Sequence, residues 1–175
     1  MAILIFFISH WFLSLFFQTF FQHRYASHRM FTMSKGWERI FYFMAFIFEG
    51  ASFLNPRAYA MMHREHHAYS DTEKDPHSPH FFKDIFHMMM HTKKIYNDFL
   101  TGKKTPDSKY CYDLPSWPMM DKIGDYWLVR VSWIVLYTTV YLLLIYFQDL
   151  SYFWLLLLPI HFLIGPVQGA IVNWC

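Results

Sequence analysis

Residues 2–22 read AILIFFISHWFLSLFFQTFFQ and run straight into HRYASHR at residues 23–29. No Lys, Arg, Asp or Glu interrupts the first stretch. Roughly 20 apolar residues in a helix cross the ~30 Å hydrocarbon core of a bilayer, so 2–22 is long enough to span. A cleaved export signal would start with basic residues and end in a small-residue cleavage site, and neither is present. The reading of this junction decides the fold: a transmembrane helix that ends in histidines.

The rest of the chain agrees. Its 175 residues suffice for a single domain, 1–175, and 55% hydrophobic with only 16% charged residues lies outside the usual soluble mix. Residues 131–148 and 152–172 form two further apolar blocks, separated around Asp149. These patterns predict an all-α integral membrane helical bundle. It has about three spans (2–22, 131–148, 152–172), interfacial amphipathic helices, and a cytosolic histidine-rich cap within 23–130.

Charge placement orients the bundle. Fourteen of the fifteen Lys and Arg residues fall between Arg24 and Lys122, and the last is Arg130. Short basic segments stay on the cytoplasmic side, so 23–130 and its histidines face the cytoplasm in a multi-pass protein. The net charge of +2 comes from a mixed segment and gives no reason to expect a nucleic-acid partner. Two cysteines, Cys111 and Cys175, make no disulfide framework, which suits a reducing face.

Three central segments refine this picture. Residues 40–54, IFYFMAFIFEGASFL, are too short to span and contain Glu49 and Gly50; they read as an interfacial or re-entrant helix. In residues 81–100 apolar positions recur at helical steps opposite Lys83, Asp84, Lys93, Lys94 and Asp98, predicting an interfacial amphipathic helix. Residues 101–125, with three prolines and two glycines, read as a loop.

The histidines carry the chemistry. In HREHH, His63, His66 and His67 stand at i, i+3 and i+4, on one helical face with Arg64 and Glu65 turned away. His23 and His28 are five apart, and they converge only if the helix frays or ends between them. Neutral imidazole suits iron, copper, zinc and nickel. Five imidazoles exceed the needs of one tetrahedral ion and favour a two-metal site. Elsewhere, His77 and His80 read as surface loop residues, His87 and His91 as interfacial, and His10 and His161 as packing or tunnel-lining groups within spans.

HRYASHR followed by HREHHAYSDTEKDPHSP resembles the first two histidine boxes of the membrane fatty acid desaturases, in the acyl-CoA Δ9-desaturase branch. The resemblance runs from the first span to Cys175. It implies a cytosolic di-iron centre held by His23, His28, His63, His66 and His67, with Asn173 contributing through water. It also implies molecular oxygen as co-substrate and an electron donor such as a ferredoxin or a cytochrome with its reductase. The substrate would be a long-chain acyl-CoA or acyl-lipid, desaturated in cis at Δ9. Lys93 and Lys94 are candidates for the headgroup phosphates. Where related acyl-CoA enzymes carry an Arg-Asp pair before the second box, this chain has Met61 and Met62. The family's third box, another HxxHH, is not among these residues, and the expectation is a C-terminally truncated, inactive fragment. The alternatives are a related di-iron hydroxylase of alkanes, sterols or carotenoids, and a non-catalytic metal-binding membrane protein.

Overall fold

The computed structural model describes residues 1–174; Cys175 lies outside the described residues. Those residues form eight α-helices joined by short turns, with no strand among them. α1 (Ala2–Phe17) passes without a break into a wider helix, Gln18–Ser27, making a 26-residue apolar rod. α6 (Trp127–Phe147) is the second helix long and apolar enough to cross a membrane. Only 22% and 17% of their most apolar windows are buried within the chain, which leaves Ile5, Phe12, Phe16, Val135 and Leu142 facing outward. Exposed aliphatic and aromatic faces of this size belong against lipid.

The expected third span, 152–172, is broken. Tyr152–Phe162, which ends in α7 (Leu158–Phe162), and α8 (Ile164–Trp174) meet at 65°, so two helices of the described residues are long and apolar enough to cross a membrane, or three if this bent pair counts as one. The bend has a specific cause. Pro166, in the first turn of α8, has no N–H to offer the Phe162 carbonyl four residues back, so the helix cannot run on unbroken. Ser52 Oγ takes over that role, donating to Phe162 O at 2.9 Å.

Between the spans, α2 (Lys35–Glu49) runs back along α1, with Phe41 on Phe20 and Phe48 on Phe17, ring centroids 5.1 Å apart in both pairs. The chain then turns at Gly50, whose φ of +53° is open to glycine, and whose absent side chain leaves room for the Tyr137 hydroxyl of α6. The following residues lead into α3 (Pro56–Tyr69), which returns to Gln18–Ser27, so 40–54 doubles back. Asn55 starts α3 as its cap, accepting from the Arg57 and Ala58 amides while donating to Asp121 at 2.7 Å. Asp121 belongs to α5 (Pro118–Asp125), a helix inside the segment expected to be loop. Pro118 occupies its first turn, where a missing N–H costs nothing. The amphipathic prediction for 81–100 materialises as α4 (Ile85–Leu100), capped by Asp84 and packed on α3 through Met61, Met62, Tyr96 and Phe99. Met61 and Met62 are therefore core residues.

Inside the bundle, His161 Nε2 lies 2.7 Å from His10 Nδ1, and the two rings also reach Tyr141 and Tyr137. These histidines are a hydrogen-bonded joint between α1, α6 and α7.

Candidate metal centre

The wide helical turn after Phe17 builds the first half of the site. In Gln18–Ser27 amides bond five residues back, so residues five apart stack on one face, and His28 N donates to His23 O at 3.0 Å. The expected fraying between His23 and His28 does not occur; the helix widens instead. Ser27 Oγ donates to Gln22 O at 2.8 Å, and Gln22 is tied to Glu49 and to Leu54 O, which holds the widened turn. Arg29, at φ +53°, ends it.

α3 supplies the second half. Nε2 of His28 stands 3.1 Å from Nε2 of both His23 and His63, and Nε2 of His67 stands 3.0 Å from that of His63. Hydrogen bonding among the rings accounts poorly for this. Each Nε2 has either one proton or one lone pair, yet His28 and His63 each meet two neighbours through that one atom. Four lone pairs around one cation account for it, since Zn–N-type bonds of about 2.0–2.1 Å put tetrahedral ligand atoms roughly 3.3 Å apart. The protonation state agrees. Burial, reinforced by the neighbouring histidines, lowers His63 to about 2, and burial also lowers His28 and His67. Neutral rings offer lone pairs. The donor set fits a transition-metal ion.

His66 departs from the expected single face. It joins Asp75 and His77 in a second group, whose candidate ligand atoms lie within 4.8 Å of one another. His77, read from sequence as a surface loop residue, is buried, with its ring 4.0 Å from that of His66. Asn173 lies partly buried in the last turn of α8, and Lys93 and Lys94 are exposed side by side on α4.

Arg64 and Glu65 face away from the clustered histidines, but not toward water. Glu65 pairs with Lys104 at 2.5 Å. The Arg64 guanidinium donates to four carbonyls: Ala26, Ser27, Tyr110 and Tyr112, at 2.7–3.0 Å. It thereby ties the backbone between His23 and His28 to α3 and to the segment before α5. A cleft of about 360 Å³ opens beside it, lined by His28, His67, Lys109 and Tyr112 among others. Sequence spacing had no means of locating Arg64's partners, which are 37 to 48 residues away.

These features define a helical protein with membrane-length apolar helices and an imidazole-rich metal-type site at the end of the first. A 62-residue stretch of the chain is 39% identical to the Delta-9 desaturase-like 5 protein of Arabidopsis thaliana, covering 35% of this chain and 19% of that protein. The chain thus matches about a fifth of that relative's length. No family model matches the chain, and no solved structure does.

Proposed function

We propose that these residues form part of an oxygen-dependent di-iron fatty acyl desaturase, which introduces a cis double bond, at Δ9, into a long-chain acyl-CoA. The observation that carries this reading is the convergence of His23, His28, His63 and His67 through Nε2. The similarity to a Δ9-desaturase-like protein supports the reaction class. Iron, if bound, would activate dioxygen, the oxidant that unactivated C–H bonds require and that no side chain replaces, with two electrons coming from the acyl chain and two from the electron donor. The four rings would hold one ion, His66 would contribute to a second, and Asn173 is the candidate for a water-mediated ligand. The chain's own task is to place one methylene pair beside the metals and keep it there. A substrate that partitions into lipid reaches a centre at the end of α1 without leaving the membrane surface. Lys93 and Lys94 would meet the headgroup phosphates from α4. The site faces the cytoplasm, where a ferredoxin or a cytochrome with its reductase delivers electrons.

Four imidazoles also complete a closed shell for one ion, which favours a second reading as a non-catalytic metal-binding membrane protein. One experiment separates the two. The full open reading frame, wild type and His63→Ala, is expressed in cells lacking their own Δ9-desaturase, and acyl products are resolved by gas chromatography. Desaturation predicts Δ9-monounsaturated chains that vanish in His63→Ala. Iron bound in wild type with no new double bond would refute the enzymatic reading, and a hydroxylated product would redirect it.

A further inference from the structure

Asp75 sits in the turn after α3 with its side chain wholly buried. Its Oδ1 accepts from His66 Nδ1 at 2.7 Å and from the His77 amide at 3.0 Å, while Oδ2 accepts from the Asp71 amide at 3.0 Å. The turn is itself anchored. Asp71 holds φ +59° and accepts from Ser78 Oγ at 3.1 Å, and Thr92 Oγ1 of α4 donates to Pro76 O at 3.0 Å. His77 is 5% exposed, its ring lies 4.0 Å from that of His66 at 34°, and its Nδ1 has no hydrogen-bond partner. A buried carboxylate, a stacked ring and a pinned turn thus surround one face of a single histidine.

We infer that Asp75 is a positioning residue of the metal centre, assisted by His77: its carboxylate holds the proton of His66 on Nδ1 and so dedicates Nε2 to metal. The chemistry is direct. A carboxylate accepts only, so the facing nitrogen must carry the proton, and a neutral ring then has its lone pair on the other nitrogen. His66 is thereby matched to His23, His28, His63 and His67, whose Nε2 atoms face one another. Loss of such an outer partner costs about 10–100-fold in metal affinity. Asp75 acts here as an outer partner, with Oδ1 accepting from two N–H groups and Oδ2 from one. The turn that carries Asp75, Pro76 and His77 is in this account a bracket for His66 and no longer a surface loop. The inference rests on the metal-centre reading above, and its test keeps the two apart.

The test uses the purified full chain in detergent, with wild type, Asp75→Asn, Asp75→Ala, His66→Ala and His63→Ala compared after circular dichroism confirms helix content. The first readout needs no metal: nitrogen-15 shifts of labelled histidine, with the His66 signal assigned by its loss in His66→Ala. Wild type should hold His66 as the Nδ1–H tautomer, and Asp75→Ala should release it toward Nε2–H. The second readout is cobalt(II) titration followed by its visible spectrum. Asp75→Ala should weaken, by about 10–100-fold, the binding step that His66→Ala abolishes, and leave the step that His63→Ala abolishes intact. Asp75→Asn, whose amide oxygen can still accept, should keep the wild-type spectrum at reduced affinity. A wild-type His66 found as Nε2–H, or cobalt affinity unchanged in Asp75→Ala, would overturn the inference. So would an Asp75→Asn spectrum that has lost a ligand, which would make Asp75 a ligand itself. A chain that binds no cobalt at all yet holds the Nδ1–H tautomer would retain the orienting role and remove the metal-centre reading instead.

Discussion

Arg64→Gln is the substitution that tests how the two halves of the metal centre are joined. The guanidinium makes four bonds to the carbonyls of Ala26, Ser27, Tyr110 and Tyr112, and its carbon lies 4.3 Å from the Tyr112 ring centroid. Hydrogen bonds to a charged group contribute about 1.5–3 kcal/mol each, so four would sum to roughly 6–12 kcal/mol if every carbonyl were left bare. They would not be. The cleft beside Arg64 admits water to some of them, and glutamine can reach one. A loss of about 3–5 kcal/mol is therefore expected, in the range found when one member of a buried polar network is removed. At roughly 2–4 °C per kcal/mol for a chain of this size, the midpoint should fall by about 6–20 °C. The assay is thermal unfolding in detergent, followed by circular dichroism, with cobalt(II) titration at a temperature where both proteins are folded. Because the Ala26 and Ser27 carbonyls lie between His23 and His28, cobalt affinity should fall at least about tenfold, as for other lost outer-shell partners. Arg64→Lys should fall between, because an ammonium has three donors and no planar fork. A midpoint within about 2 °C of wild type, with unchanged cobalt binding, would refute the clamp.

Two further outcomes follow from the geometry. Gly50→Ala places a Cβ 1.7 Å from the Tyr137 hydroxyl at φ +53°, so it should lower stability by more than about 3 kcal/mol, and Tyr137→Phe should restore part of that in the double variant; a neutral Gly50→Ala by denaturant titration would contradict the packing of α2 against α6. In metal-free protein, burial holds His63 at about 2 and His77 at about 4, below their unfolded value of about 6.5. Their contribution is therefore complete above pH 6.5 and is lost as pH falls, by about 1.4 kcal/mol per unit for each, or roughly 2 kcal/mol each by pH 5. Denaturant midpoints measured at pH 7, 6 and 5 should drop accordingly, and a flat profile would show both rings accessible to protons in the folded state.

How much of this was written in the sequence varies by element. The two long apolar helices were legible because a bilayer demands about 20 residues without charge, a constraint that is local in the chain. The doubling back of 40–54 was legible too, from its length and its Glu49 and Gly50. His23, His28, His63 and His67 stood out by their spacing, but the convergence of His23 and His28 was expected from fraying and comes instead from the widened helix. The break at Leu163 was signalled by Gly165 and Pro166, but its angle was not, because it depends on Ser52 reaching across to Phe162 O. The segment 101–125 misled for a related reason: Pro118 reads as a breaker until it is seen to occupy a first helical turn, where it is tolerated.

The sequence by itself determined that the chain is helical, that its ends suit lipid, and that its histidines gather where a span stops. Those properties depend on periodicity and composition, which need no knowledge of neighbours. Tertiary structure alone decided how the histidines are shared out. A five-residue step becomes one face only because the helix widens at Gln18–Ser27, and it widens because Gln22, Ser27 and Arg64 find partners in distant segments. His66 leaves the face of its own helix group for Asp75 and His77 because the turn after α3 folds back and is pinned to α4 by Thr92. Which ring joins which group is set by contacts between residues far apart in the chain, and hydrogen bonds of that kind leave no periodic trace in the sequence that forms them.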